Sequence, residues 1–144
     1  VHVALPSGNR PPMGKRIVLN ADDERPNSVA PMSGVVPDYA PDGRTLYSAT
    51  FLGQHEESDD ELFEKVRDAL ASWYPGAHFD ELEPIGVDRI DFAQFAQPPG
   101  FRAGLPAVDA PDGAVALAGD HTRWSSIQGA LESGRVAAET VTDY

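Results

Sequence analysis

The sequence predicts an α+β fold: an antiparallel sheet with one packing helix, then a C-terminal strand–turn–helix. Three observations carry this. "RTLYSATFLG" (44–53) alternates apolar and polar residues with the period of a half-buried strand. "SDDELFEKVRDALASW" opens with the S-x-x-E spacing of a capping box and continues as an amphipathic helix. "AVALAG" (114–119) is a short apolar run that feeds directly into a second helical pattern.

Along the chain, residues 1–14 contain prolines at 6, 11 and 12 and read as an irregular arm. "KRIVLNA" (15–21) is rich in β-branched residues and predicts a strand. "DDE" (22–24) reads as a solvated acidic loop. "SVAPMSGVV" (28–36) is an interrupted strand, with Pro31 marking an edge or bulge. Pro41-Asp42-Gly43 signals a turn before the strand at 44–53. The helix spans 58–74. Leu62, Phe63, Val66, Ala69, Leu70 and Trp73 share one face, and Pro75-Gly76 ends it. "IGVDRIDFAQFA" (85–96) alternates again and predicts a strand. The last helix runs from about Ser126 to Val141, with Ile127, Ala130, Leu131, Ala137, Ala138 and Val141 as its packing face. The expected organisation is one compact unit, with a change of character between 112 and 113.

Composition limits the function. The 144 residues carry 11 basic and 23 acidic side chains, a net charge of −12. Such a field repels phosphate backbones, so nucleic acid is not an expected partner. There is no cysteine, which excludes disulfides, thiolate metal sites and cysteine nucleophiles. No apolar run approaches the ~20 residues of a membrane span. "VHVALPSGNRPPMGKR" lacks the apolar core of a signal peptide, so a cytoplasmic location is expected.

Generic catalytic motifs are missing. There is no G-x-G-x-x-G, no Walker A loop and no G-x-S-x-G. His2, His55, His78 and His121 have no pairwise spacing suited to a metal, and exposed histidines are expected. Asp88 and Asp91 are read as ion-pair partners of Arg89 or Arg102. Tyr39, Tyr47, Phe92 and Phe95 are the candidate substrate-facing residues, at positions where core packing is the expected explanation.

The C-terminal unit concentrates the signals. Gly119-Asp120 closes the apolar run, the position where open α/β sheets bind ligands. Ser125 and Gln128 have capping-box spacing, and the first-turn amides beyond them favour negative charge. Gly129 and Gly134 remove side chains where backbone approaches a neighbour or ligand.

"GDHTRWSSIQGALESGRVAAE" resembles the C-terminal flavin-binding segment of the FAD-dependent amine oxidase and phytoene desaturase superfamily. The matching residues are Gly119-Asp120, Ser126-Ile127-Gln128-Gly129-Ala130, Ser133-Gly134-Arg135 and Ala137-Ala138. The resemblance implies that residues 1–112 are part of a substrate-binding domain and 113–144 an FAD-binding strand and helix. It implies that Gly119, Asp120, Ser126, Ile127, Gln128 and Ala130 line the cofactor. Asp120 would bond the ribityl or pyrophosphate part. The Ile127 amide would face the flavin N1/C2=O edge, where the helix dipole stabilises the charge of reduced flavin. Catalysis would be hydride transfer to flavin N5. The family's Gly-rich dinucleotide-binding unit is not in this sequence. FAD is therefore expected in the full-length context rather than on this chain alone, with a partner supplying the other half. The alternative is an interaction module without a redox role. Apolar surface left without that half implies a homodimer.

Overall fold

The computed structural model describes residues 1–21 and 26–142. The acidic "DDE" at 22–24 therefore lies outside the described residues. The fold class is α+β. Five strands form one antiparallel sheet in the order β2-β3-β4-β1-β5, namely Val18–Leu19, Ser28–Ala30, Arg44–Thr50, His2–Pro6 and Glu83–Gly86. Among the described residues, three α-helices accompany them: α1 (Met32–Val35), α2 (Asp59–Trp73) and α3 (Ile127–Thr142). The chain divides into two compact units, Val1–Asp91 and the residues from Phe92 onward.

The first unit is built on β4 and β1. Their register sets Val3 opposite Tyr47 and Leu5 opposite Thr45. The side-chain period of two then places Val3, Leu5, Thr45, Tyr47 and Ala49 on one buried face. Val29 of β3, opposite Ala49, extends that face. Phe63, Val66 and Leu70 of α2 join it in one hydrophobic cluster with Met13, Phe79 and Leu82. Val66 and Leu70 are fully buried, so truncating either to alanine costs about 2–4 kcal/mol. Tyr47 is buried in the same layer, which pushes its phenol up to about 12.

α2 forms as its sequence dictates. The Ser58 hydroxyl accepts from the Glu61 amide at 3.3 Å, and the Glu61 carboxylate accepts from the Ser58 amide at 2.8 Å. Asp59, Asp60 and Glu61 stand in the first turn, where the dipole favours anions. Arg89 clamps the loop before the helix, donating to the carbonyls of His55 (2.9 Å) and Glu57 (2.7 Å) and to Asp59 (2.7 Å).

Several expectations are corrected. Residues 2–6 are not an arm but an inner strand: Val3 and Leu5 alternate inward, and the ladder runs through Pro6, which pairs with Arg44. The strand expected over 15–21 shortens to Val18–Leu19. Beyond Pro31 the backbone turns into α1 instead of resuming a strand. The strand expected over 85–96 lies at Glu83–Gly86 and is exposed throughout, since it has β1 on one side only. Asp88 pairs with His2 at 2.9 Å, whereas Arg89 is taken by Asp59. His55 is half-buried, bonded to the Leu52 carbonyl at 3.0 Å and edge-on to Phe51. Tyr39 (56%) and Phe92 (76%) are exposed; only Tyr47 of the four aromatic candidates is fully buried. No helix among the described residues is long and apolar enough to cross a membrane.

Candidate functional site

The second unit is organised by α3 and the segment that leads into it. The apolar run 114–119 does not form a strand. It makes one backbone bond, Leu117 N–H to the Val108 carbonyl at 2.8 Å, and most of its side chains are half-buried or exposed. A strand needs a ladder, and no neighbour among the described residues offers one. The apolar character that predicted a buried strand is therefore not matched by burial here.

At Gly119 the chain turns. Its φ of 150° and ψ of 166° suit glycine, and an added Cβ would lie 2.5 Å from the His121 ring. A 3-10 turn follows over Asp120–Thr122. The Asp120 side chain is brought to the entrance of α3 by the Ser125 hydroxyl, which donates to Oδ2 at 3.2 Å. Ser125 in turn accepts from Gln94 Nε2 at 2.6 Å.

The predicted capping box of Ser125 with Gln128 is not the one formed. Ser126 caps α3: its hydroxyl accepts from the Gly129 amide at 2.9 Å and its carbonyl from the Ala130 amide at 2.9 Å. The register moves by one because Ser125 is engaged by Asp120 and Gln94. The amides of Ile127 and Gln128 keep no protein partner among the described residues. They are the orphan donors of a helix's first turn, carrying the positive end of its dipole.

The six predicted site residues thus fall into two groups. Gly119, Asp120 and Ser126 are half-buried and tied into the turn. Ile127, Gln128 and Ala130 are exposed on the first turn of α3, with Ile127 at 77%. Asp120 and the helix entrance are drawn together through Ser125.

The packing face of α3 also differs from expectation. Gly129, Ser133 and Ala137 are buried, whereas Leu131 (71%), Val141 (50%), Ala130 and Ala138 are exposed. At 100° per residue the exposed apolar stripe 127, 131, 138 and 141 lies roughly opposite the buried one. Gly129 is required by close approach to its own chain, at Trp124; Gly134 has nothing within 4 Å of an added Cβ.

Sequence reasoning gave no role to the turn between Asp120 and Ser125, yet it holds three further features. The Thr122 and Ser133 hydroxyls bond each other at 2.6 Å, both buried. Arg102 stacks over Trp124, 5.4 Å from the ring centroid. Arg123 Nε is buried and without a hydrogen-bond partner among the described residues. The signal for Ser133 was its place at i, i+4, i+8 with Gly129 and Ala137.

Electrostatics along α3 are local. Arg135 donates to Glu132 (2.7 Å) and Glu139 (2.5 Å), which holds the Glu132 carboxyl below its usual range. These groups lie beyond the first turn and leave its amides unopposed.

No curated protein matches the chain. The family model described as flavin containing amine oxidoreductase matches residues 5–142. That match takes in both compact units, including the Gly119–Asp120 turn and α3, and by it the chain belongs to the flavin-containing amine oxidoreductase family.

Proposed function

We propose that this chain supplies the ribityl and isoalloxazine side of an FAD site in an amine oxidase-like oxidoreductase, together with part of the substrate domain. One observation carries the reading: the Asp120 carboxylate meets the entrance of α3, where two amides are free. The residues fit the group. Asp120 Oδ1 has no protein partner among the described residues and can accept from the hydroxyls of a ribityl chain. The Ile127 and Gln128 amides can donate to an electron-rich ring edge, aided by the dipole. Ser126 keeps its own hydroxyl on Gly129, so its role is to hold the helix start in register. Ala130 keeps the exposed first turn small, and Gly119 permits the turn that presents Asp120. Arg123 Nε is a buried donor that still needs an acceptor.

When bound, FAD supplies a two-electron acceptor for a substrate hydride. These 144 residues contain no Gly-rich phosphate loop, so the ADP-holding half is assigned to a separate stretch of polypeptide. A two-fold dimer belongs to the same reading. Its support is the exposed stripe of Ile127, Leu131, Ala138 and Val141.

The test is a nitrogen-15 NMR titration with FMN, which carries the ring and ribityl chain but no ADP. The expected result is weak, saturable shifts centred on the Ile127 and Gln128 amides, lost in D120A. Wild-type amides that stay unmoved would discard the flavin site and leave the interaction module.

A further inference from the structure

The turn that presents Asp120 is held by a closed ring of hydrogen bonds. The Gly119 amide donates to Ser133 Oγ at 2.8 Å. Thr122 Oγ1 donates to the Gly119 carbonyl at 3.0 Å. The two hydroxyls bond each other at 2.6 Å. A hydroxyl has a single proton. Thr122 has spent its proton on the carbonyl, so Ser133 must be the donor between the two. The ring therefore runs in one direction: Gly119 N–H to Ser133 O–H to Thr122 O–H to Gly119 C=O.

Both hydroxyl-bearing residues of this ring are shielded, and Gly119 is half-buried. Ser133 is 0% exposed and Thr122 6% exposed. Buried hydroxyls that lose a partner are costly, so the ring has one satisfied arrangement and no cheap alternative. Both polar groups of the Gly119 backbone are used, in a conformation that suits glycine. Asp120 is fixed on both sides, by Gly119 before it and Thr122 after it. Ser133 ties the whole turn to the second turn of α3, the helix whose Ile127 and Gln128 amides are free.

We propose that Thr122 and Ser133 are positioning residues that set the Asp120 carboxylate relative to the α3 entrance for a ribityl-bearing flavin. The assignment rests on the flavin reading above. Neither hydroxyl has an unused proton, so neither donates to the cofactor; both act through Asp120.

The experiment compares T122V, T122S, D120N and T122V/D120N with the wild-type chain, first without ligand and then with FMN. T122V keeps the shape and removes the hydroxyl, while T122S keeps the hydroxyl. Without ligand, the Gly119 amide is expected to exchange at least tenfold faster in T122V and at the wild-type rate in T122S. S133A is a harsher second variant with the same expected direction. With FMN, T122V is expected to weaken binding about tenfold and T122S to restore it within twofold. In the D120N background, T122V is expected to add no further loss, which a role limited to general stability would not produce. Equal losses in both backgrounds would overturn the proposal, as would unchanged Gly119 exchange in T122V. Wild-type binding that T122V leaves intact would overturn this inference alone. A wild-type chain that does not respond to FMN would overturn the flavin reading and this role with it.

Discussion

Gly129 sits where any side chain would overlap the carbonyl oxygen of Trp124 and lie 3.0 Å from its carbonyl carbon. The approach is backbone on backbone, so no rotamer relieves it. It is also what lets Ser126 cap the helix while Trp124 folds across its first turn.

The two glycines of α3 should therefore respond to alanine with opposite signs. G129A forces the helix start away from Trp124 and should destabilise by about 1–3 kcal/mol, the usual range for overpacking. G134A meets open space and should gain up to about 1 kcal/mol from helix propensity. Urea midpoints of the two variants check this.

The capping box of α2 should be separable from its core. S58A leaves the buried face intact and removes a first-turn acceptor, for an expected loss of about 1 kcal/mol. Thermal unfolding followed by circular dichroism reads the loss.

Acid should act through the same corner. The Lys65 ammonium bonded to Glu57 holds that carboxyl at about 2, well below its ordinary 4.5. Glu61 is lowered in the same direction by the Ser58 amide and hydroxyl. A depressed folded pKa gives stabilisation that is complete above the unfolded value and is lost as protons bind the native state. Stability should thus decline from pH 4.5 down to about 2, and E57Q should decline less steeply. Urea midpoints measured across that interval give the comparison.

Self-association should depend on the outward stripe of α3. Ile127 and Leu131 are 77% and 71% exposed. Sedimentation should find a dimer at high concentration in the wild type and a monomer in L131E. A wild type that stays monomeric would remove the dimer from the proposed function.

The parts legible in the sequence were those fixed by neighbours a few residues away. α2 carries its start signal, its buried face and its stop within one stretch, and it forms within a residue of expectation. The α3 start was legible for the same reason. The sheet was less so, because a strand exists only through its partners. Val3 and Leu5 look ordinary until Tyr47 and Thr45 stand beside them. Conversely, "AVALAG" has strand composition and no partner strand among the described residues. The Thr122–Ser133 pair, 11 positions apart, joins a turn to a helix and has no periodic signature.

β1 has a consequence for how the first unit assembles. His2 faces Ser48 on one side and Gly86 on the other. Its neighbours are thus distant in sequence, and each closes a long loop of chain before any bond repays it. The segment must stay unpaired until both arrive, with Val3 and Leu5 open to wrong contacts meanwhile. Folding of this unit should be limited by that search, and a chain lacking residues 1–6 would leave β5 without a sheet to join.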